Sequence, residues 1–80
     1  MTRAGAALIA DLDAATGPDR LLDARIAVLR EGGESYVLKD RPGWYRIPGV
    51  GSISSVSIYA QHYTAGLPAA RALVRSLLGE

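Results

Sequence analysis

The sequence predicts an α+β fold in which two N-terminal helices, a three-stranded antiparallel sheet and a C-terminal helix pack as a layered sandwich. Apolar residues recur every three or four positions in residues 4–31 and again in residues 66–80, which is the period of an amphipathic helix. Between these segments, short runs of aromatic and β-branched residues are separated by glycine and proline, as in strands joined by turns. Covering a sheet with helices buries these apolar faces, so we expect one domain, residues 1–80.

Residues 4–15 are predicted to form the first helix. Its apolar stripe consists of Leu8, Ile9, Leu12 and Ala15. Gly17 suits the end of this helix, and Pro18 suits the first position of the next one, where the N–H that proline lacks has no helical partner. Asp19 then lies favourably beside the positive end of the second helix.

The second helix is predicted to run to about Arg30, and Glu31 followed by two glycines supplies its end. Its two neighbouring apolar stripes are formed by Leu22, Ile26 and Leu29 and by Leu21, Ala24 and Val28. The outward faces of the first two helices carry the acidic residues Asp11, Asp13, Asp19 and Asp23. We expect these carboxylates to be solvated and the two helices to pack as an antiparallel or crossed pair.

Residues 35–40 and 44–48 predict a β-hairpin, because both runs are rich in aromatic and β-branched residues. The sequence Arg-Pro-Gly at residues 41–43 places proline and glycine where a tight turn needs them. Residues 55–60 predict a third strand, since apolar and polar residues alternate there. One side of this strand carries Val56, Ile58 and Ala60, and the other carries Ser55, Ser57 and Tyr59.

Residues 66–80 predict the last helix, with Pro68 in a first turn that tolerates proline. Its apolar stripe consists of Leu67, Ala70, Leu73, Val74, Leu77 and Leu78. Arg71 and Arg75 share one face at a spacing of four, which raises the hypothesis of a small DNA-binding accessory protein. Two arginines are few for a recognition helix, and a core-packing helix with solvated arginines explains the segment better.

Cysteine is absent, which excludes a disulfide framework, a zinc ribbon, an iron–sulfur site and a thiol nucleophile. The single histidine, His62, offers no metal cluster, so we expect neither a metal nor another cofactor. No apolar run approaches the roughly 20 residues that cross a bilayer. The expectation from composition is therefore a cytoplasmic protein without a membrane partner.

Catalytic motifs are also missing from the sequence. A serine nucleophile requires a pattern such as G-x-S-x-G or S-x-x-K, and neither occurs. The stretch GVGSISS, residues 49–55, lacks the G-K-[ST] ending of a Walker loop, and Ser54 stands where G-x-G-x-x-G has its third glycine. General acid–base catalysis by His62 alone would need a nearby carboxylate. The sequence therefore predicts that the protein is not an enzyme.

The net charge is only +1, which argues against nucleic acid as a partner. The charge is unevenly distributed, however. Residues 1–40 hold five basic and seven acidic residues, giving −2, whereas residues 41–80 hold four arginines and Glu80, giving +3. The second half is therefore expected to attract a small anion better than the first.

The same half contains the residues that we predict to bind a ligand. Arg41 and Arg46 flank Trp44, and this pairing suits a nucleotide, whose base stacks on a ring while a guanidinium meets the phosphate. The glycine–serine loop that follows offers backbone N–H groups and hydroxyls to an anion. The predicted ligand-binding set is Arg41, Trp44, Arg46, Gly49, Gly51, Ser52, Ser54 and His62. The alternative interpretation is a flexible turn, with Trp44 in the core.

Two blocks of sequence, LIADLDAATGPDRLLDARIAVL at residues 8–29 and HYTAGLPAARALV at residues 62–74, resemble a family of small proteins encoded by tailed phages and prophages. In the second block, Gly66 stands where the family has a serine that caps the helix, and Pro68 stands where it has an aspartate. The resemblance implies an alpha-beta-alpha sandwich fold. It also implies a phage protein that acts in the cytoplasm of an infected bacterial host.

A small phage protein without catalytic residues suggests an anti-defence factor that sequesters a nucleotide immune signal, such as a cyclic nucleotide, as a homo-oligomeric sponge. Oligomerisation would also support the thin core of a domain this short. The alternative is a protein–protein adaptor or inhibitor that binds a host or virion protein without a small-molecule ligand. Charge reversal at Arg41 and Arg46 distinguishes the two hypotheses, because only nucleotide binding depends on an anion site.

Overall fold

The computed structural model describes residues 3–49 and 54–79. The helices are α1 (Arg3–Ala14), α2 (Arg20–Glu31) and α3 (Leu67–Leu77), and the strands are β1 (Tyr36–Val37), β2 (Trp44–Ile47) and β3 (Val56–Tyr59). A short 3-10 helix, Tyr63–Ala65, joins β3 to α3. The order of two helices, three strands and a final helix confirms the predicted α+β class.

Helix α2 begins two residues later than Pro18, the residue that we predicted for its first position. Asp19 is the N-cap, with an extended backbone at φ −143° and ψ 112°. Its carboxylate oxygen accepts the N–H groups of Leu21 at 2.9 Å and Leu22 at 3.1 Å. These amides have no helical partner, so a side-chain cap sets the boundary, and Pro18 lies before it.

The three helices share one apolar cluster. Its buried members are Leu8, Leu12, Leu22, Ile26, Ala70 and Val74. Helix α3 is also hydrogen-bonded to the end of α1. Nε of Arg71 donates to the carbonyl of Leu12 at 3.1 Å, and Nη2 donates to the carbonyl of Ala15 at 3.2 Å. Arg75 pairs with Asp13 at 2.9 Å. Both arginines thus have partners at the end of α1, which the sequence pattern did not predict.

The strands form one antiparallel sheet in the order β1-β2-β3. Strand β2 is central, with Tyr36 opposite Arg46 on one side and Trp44 opposite Tyr59 on the other. The predicted hairpin is therefore confirmed, although β1 spans only two residues. It stops there because the chain turns at once, with the N–H of Arg41 bonded to the carbonyl of Leu38 at 3.1 Å.

The two faces of the sheet differ in what they contact. The inner face carries Tyr45, Ile47 and Ile58 and packs against α2. The opposite face, called the open face below, carries Tyr36, Trp44, Arg46, Ser57 and Tyr59. Tyr36 is 50% exposed and Tyr59 is 52% exposed, so within residues 3–49 and 54–79 no helix covers this face.

No helix in the described ranges combines the length and the apolarity that crossing a bilayer requires.

Candidate ligand-binding site on the open face

A row of three aromatic rings runs along one end of the open face. Trp44 and Tyr59 are direct cross-strand partners, and their ring centroids lie 5.3 Å apart with the planes at 73°. The row continues to His62, whose ring centroid lies 6.0 Å from that of Tyr59. Edge-to-face pairs of this kind hold the rings in fixed orientations. The exposed ring of Tyr59 therefore offers a flat apolar surface to a planar ligand.

Arg41 stands over the end of this row. Its guanidinium carbon lies 4.4 Å from the centroid of the Trp44 ring, which is cation–π geometry. The turn fixes this position, because the N–H of Trp44 donates to the carbonyl of Arg41 at 3.0 Å. Among the described residues, the Arg41 side chain has no hydrogen-bond or ion-pair partner, so its N–H groups remain available to an anion.

Arg46 lies in the middle of the open face. Its Nε and Nη2 donate to the hydroxyl of Ser57, the residue directly opposite on β3, at 3.2 and 2.9 Å. This contact with a neutral partner orients the guanidinium without neutralising it. The positive charge of Arg46 therefore remains on the sheet surface, on the same face of β2 as Trp44.

Four of the helical arginines pair with aspartates of the helices, whereas the arginines of the open face have no such partners among the described residues. Three aspartates of α1 and α2 serve the helical arginines, in the pairs Arg20–Asp23, Arg25–Asp11 and Arg75–Asp13. Neither Arg41 nor Arg46 has a carboxylate partner within the part of the chain that is described. Moreover, the sequence contains no acidic residue between Arg41 and Gly79. The uncompensated positive charge of the second half therefore lies on the same face as the rings.

The structure brings some of the predicted site residues together and separates others. Arg41, Trp44 and His62 lie at the end of the sheet where β2 begins and β3 ends. Gly49 and Ser54 are exposed and lie beyond the other end, each five residues along the chain from Trp44 or Tyr59, or about 16 Å at 3.3 Å per residue. Gly51 and Ser52 lie outside the described residues. The rings thus lie at one end of the sheet and Gly49 and Ser54 at the other, with Arg46 between them.

Arg20 is a residue of this region that the sequence did not reveal. From the first turn of α2, its guanidinium reaches the face of the Tyr59 ring at 4.3 Å. It donates Nη2 to the carbonyl of Ala60 at 2.6 Å and Nη1 to Asp23 at 2.6 Å. The backbone of Gly43 passes so close that a Cβ there would lie 2.6 Å from Arg20 Nε. Arg20 therefore links α2 to the row of rings through its contact with Tyr59.

Asp23 anchors this arrangement. The prediction that its carboxylate is solvated was wrong. We expected a solvated carboxylate on an outward helix face, but Asp23 is only 1% exposed. It accepts the backbone N–H of Thr64 at 2.7 Å, the hydroxyl of Thr64 at 2.7 Å and the guanidinium of Arg20. A buried carboxylate needs such partners, and the 3-10 helix supplies one of them. These bonds hold the segment that carries His62 against α2.

The site is suited to binding by stacking and charge. Its groups are rings, guanidinium donors and a hydroxyl, which recognise a flat ligand with an anionic group. In residues 3–49 and 54–79, no three His, Asp or Glu side chains are placed to hold a metal ion.

Comparison with known proteins returns no matching family model, no matching curated protein and no matching solved structure. The resemblance to the phage family stays a prediction, and the assignment of a function starts from the geometry of the open face.

Proposed function

We propose that this protein binds a small anionic nucleotide on its open face and sequesters it without chemical conversion. One observation carries the proposal. Two arginines without a carboxylate partner among the described residues, Arg41 and Arg46, share a face with the exposed ring of Tyr59 and the half-buried indole of Trp44. A nucleotide is the common ligand that needs both a stacking surface for a base and a donor for a phosphate.

The biological role that we propose is that of a phage anti-defence factor, a sponge that removes a nucleotide immune signal such as a cyclic oligonucleotide from the infected cell. This part of the proposal rests on the resemblance of residues 8–29 and 62–74 to small phage proteins. The open face is a surface rather than an enclosed cleft, and such a surface covers only one side of a ligand. A second copy facing the first would cover the other side, so we propose a homo-oligomer.

A fluorescence titration tests the binding directly. Trp44 is the sole tryptophan, so its emission reports only on the proposed site. We expect a saturable change with at least one member of a panel of cyclic oligonucleotides and ADP-ribose derivatives. Native mass spectrometry of the same mixtures should show an oligomer that gains the nucleotide mass in fixed stoichiometry.

Matched arginine variants separate this site from general charge attraction. Arg41→Ala and Arg46→Ala should each weaken nucleotide binding about tenfold or more, because a hydrogen bond to a charged group contributes about 1.5–3 kcal/mol. Arg3→Ala removes the same charge from the exposed first residue of α1 and should leave the affinity unchanged. The proposal fails if no nucleotide of the panel binds, or if all three variants weaken binding equally.

The second candidate function is a protein–protein adaptor or inhibitor that binds a host or virion protein. It is favoured by exposed apolar residues on both edge strands, where Tyr36 on β1 is 50% exposed and Val56 on β3 is 45% exposed. A partner strand or helix that docks along the β3 edge would bury Val56. In that case Arg41→Glu and Arg46→Glu should leave activity intact, whereas Val56→Asp should abolish partner binding.

A further inference from the structure

A polar pocket lies on the inner side of the sheet, away from the open face. It has a volume of about 260 Å³ and is lined by Ala27, Arg30, Glu31, Tyr45, Gln61 and Tyr63. The end of α2 forms one wall, and β2 with the segment after β3 forms the other. A space of this size accommodates several water molecules or a small organic molecule.

Tyr45 forms the floor of this pocket. The residue is only 8% exposed and packs with Ala27 and Ala60. Within the described part of the chain, no hydrogen-bond partner is found for its hydroxyl, which borders the pocket. Among the described residues, Arg20 Nε is the sole buried side-chain polar atom without a partner, so the Tyr45 hydroxyl is not sealed in the core but reaches the accessible surface of the pocket. The Tyr45 hydroxyl is thus a polar group that a ligand in the pocket can satisfy.

Two opposite charges stand at the rim without pairing to each other. Arg30 donates Nη1 to the hydroxyl of Tyr63 at 2.9 Å, which draws its guanidinium to one side of the pocket. Glu31 is the next residue of α2 and has no ion pair with any described residue. Adjacent helical residues do not face each other, so the carboxylate and the guanidinium remain apart. The pocket therefore offers one cationic and one anionic contact.

We propose that this pocket binds a free α-amino acid as its zwitterion. The carboxylate of the amino acid accepts N–H groups of Arg30 and the hydroxyl proton of Tyr45, and its ammonium group donates to the carboxylate of Glu31. A simple anion would satisfy Arg30 but meet the charge of Glu31, and a simple cation would meet the reverse conflict. Only a small molecule that carries both charges complements both Arg30 and Glu31.

The protonation state of the phenol agrees with this role. Burial raises the pKa of Tyr45 above its ordinary value, and the nearby carboxylate of Glu31 raises it further. The hydroxyl therefore keeps its proton near neutral pH and is a donor to a bound carboxylate.

A probe set that removes one charge at a time tests the proposal. We would titrate the isotope-labelled protein with common α-amino acids and follow the backbone amide signals of Ala27, Gln61 and Tyr63 by NMR. L-alanine and L-serine should shift these signals saturably. N-acetyl-L-alanine, which lacks the ammonium group, and L-alanine amide, which lacks the carboxylate, should each bind at least about tenfold more weakly.

Two variants complete the test. Tyr45→Phe removes only the hydroxyl and should weaken amino-acid binding about tenfold while the circular dichroism spectrum is unchanged. Glu34→Gln removes an exposed carboxylate that does not line the pocket and should leave the affinity unchanged. The proposal is overturned if no amino acid of the panel shifts the three amides, or if the two derivatives bind as tightly as L-alanine.

Discussion

A single buried carboxylate fixes the end of the sheet on which the candidate site is built. Asp23 joins Arg20, which supports the Tyr59 ring, to Thr64, which follows His62 in the chain. The sequence did not reveal this, because an aspartate between helical apolar residues looks the same whether it is solvated or paired. The partner that decides the matter, Thr64, lies 41 positions away.

Loss of this carboxylate should be costly for folding. Asp23→Ala leaves the N–H of Thr64 and the guanidinium of Arg20 without their partner, and breaking a buried pair costs about 3–5 kcal/mol. Because the Arg20 side chain is 21% exposed, we expect the lower end, about 3 kcal/mol of unfolding free energy, measured by urea denaturation. Asp11→Ala breaks an exposed pair with Arg25 and should cost less than about 1 kcal/mol. Equal losses in the two variants would contradict the anchoring role.

Tyr45 should make the folded state sensitive to alkaline pH. Its pKa is raised above the ordinary value of 10.0 by burial and by Glu31, so the folded state holds the phenolic proton more tightly than the unfolded state. The resulting stabilisation is complete below about pH 10 and is lost as the pH rises through the folded pKa. Urea denaturation from about pH 9 to about pH 11 should show this decline in the wild type and a smaller one in Tyr45→Phe. The same decline in both proteins would assign it to other groups.

At the scale of elements, the sequence predicted the features that are set by interactions between residues close together in the chain. The apolar stripes identified all three helices, and the glycines after Glu31 ended α2, where Gly32 has φ +70°. The alternation in residues 55–60 identified β3 and its two faces. The start of α2 was misplaced because the competing cap, Asp19, outweighs the preference of Pro18 for a first turn.

The sequence predicted only the part of the candidate site whose residues are close together in the chain. Arg41 and Trp44 are three residues apart, so one turn brings them together, and the sequence sufficed to pair them. Arg20 contributes from another element, and no local pattern connects it with Tyr59. The separation of His62 from Gly49 and Ser54 follows from strand direction, which places the start and the end of β2 at opposite ends of the sheet.

The β1–β2 turn should tolerate no side chain at Gly43. This glycine has φ +89°, and a Cβ would lie 2.6 Å from Nε and 2.8 Å from Nη2 of Arg20. Gly43→Ala therefore combines backbone strain with displacement of a guanidinium held by Asp23 and Ala60, and should cost about 2–3 kcal/mol. Gly33→Ala is the control, since φ is +60° but nothing lies within 4 Å of the added Cβ. If the two variants lose equal stability in urea, the contact with Arg20 is not what restricts Gly43.

At the scale of the whole molecule, the packing is unequal between the two layers. Among the described residues, the helical cluster has six buried members contributed by α1, α2 and α3, whereas the cluster beneath the sheet has three, Ala27, Tyr45 and Ala60. Helix α2 supplies residues to both clusters, and the other face of the sheet is exposed. The sheet that carries the candidate site is therefore held mainly by one helix.

This asymmetry predicts that the sheet opens while the helical layer stays folded. The strands span only two to four residues and bury one face, so separating them from α2 exposes less apolar surface than unfolding the helices. In native-state hydrogen exchange, the amides of β2 and β3 should open with a free energy lower by about 1 kcal/mol or more than those of α2. The amides of Ile26 and Val74, both completely buried, should report the global value. Strand amides that exchange with the same free energy as these two would show that the layers unfold as one unit, and the open face would then be as rigid as the helical core.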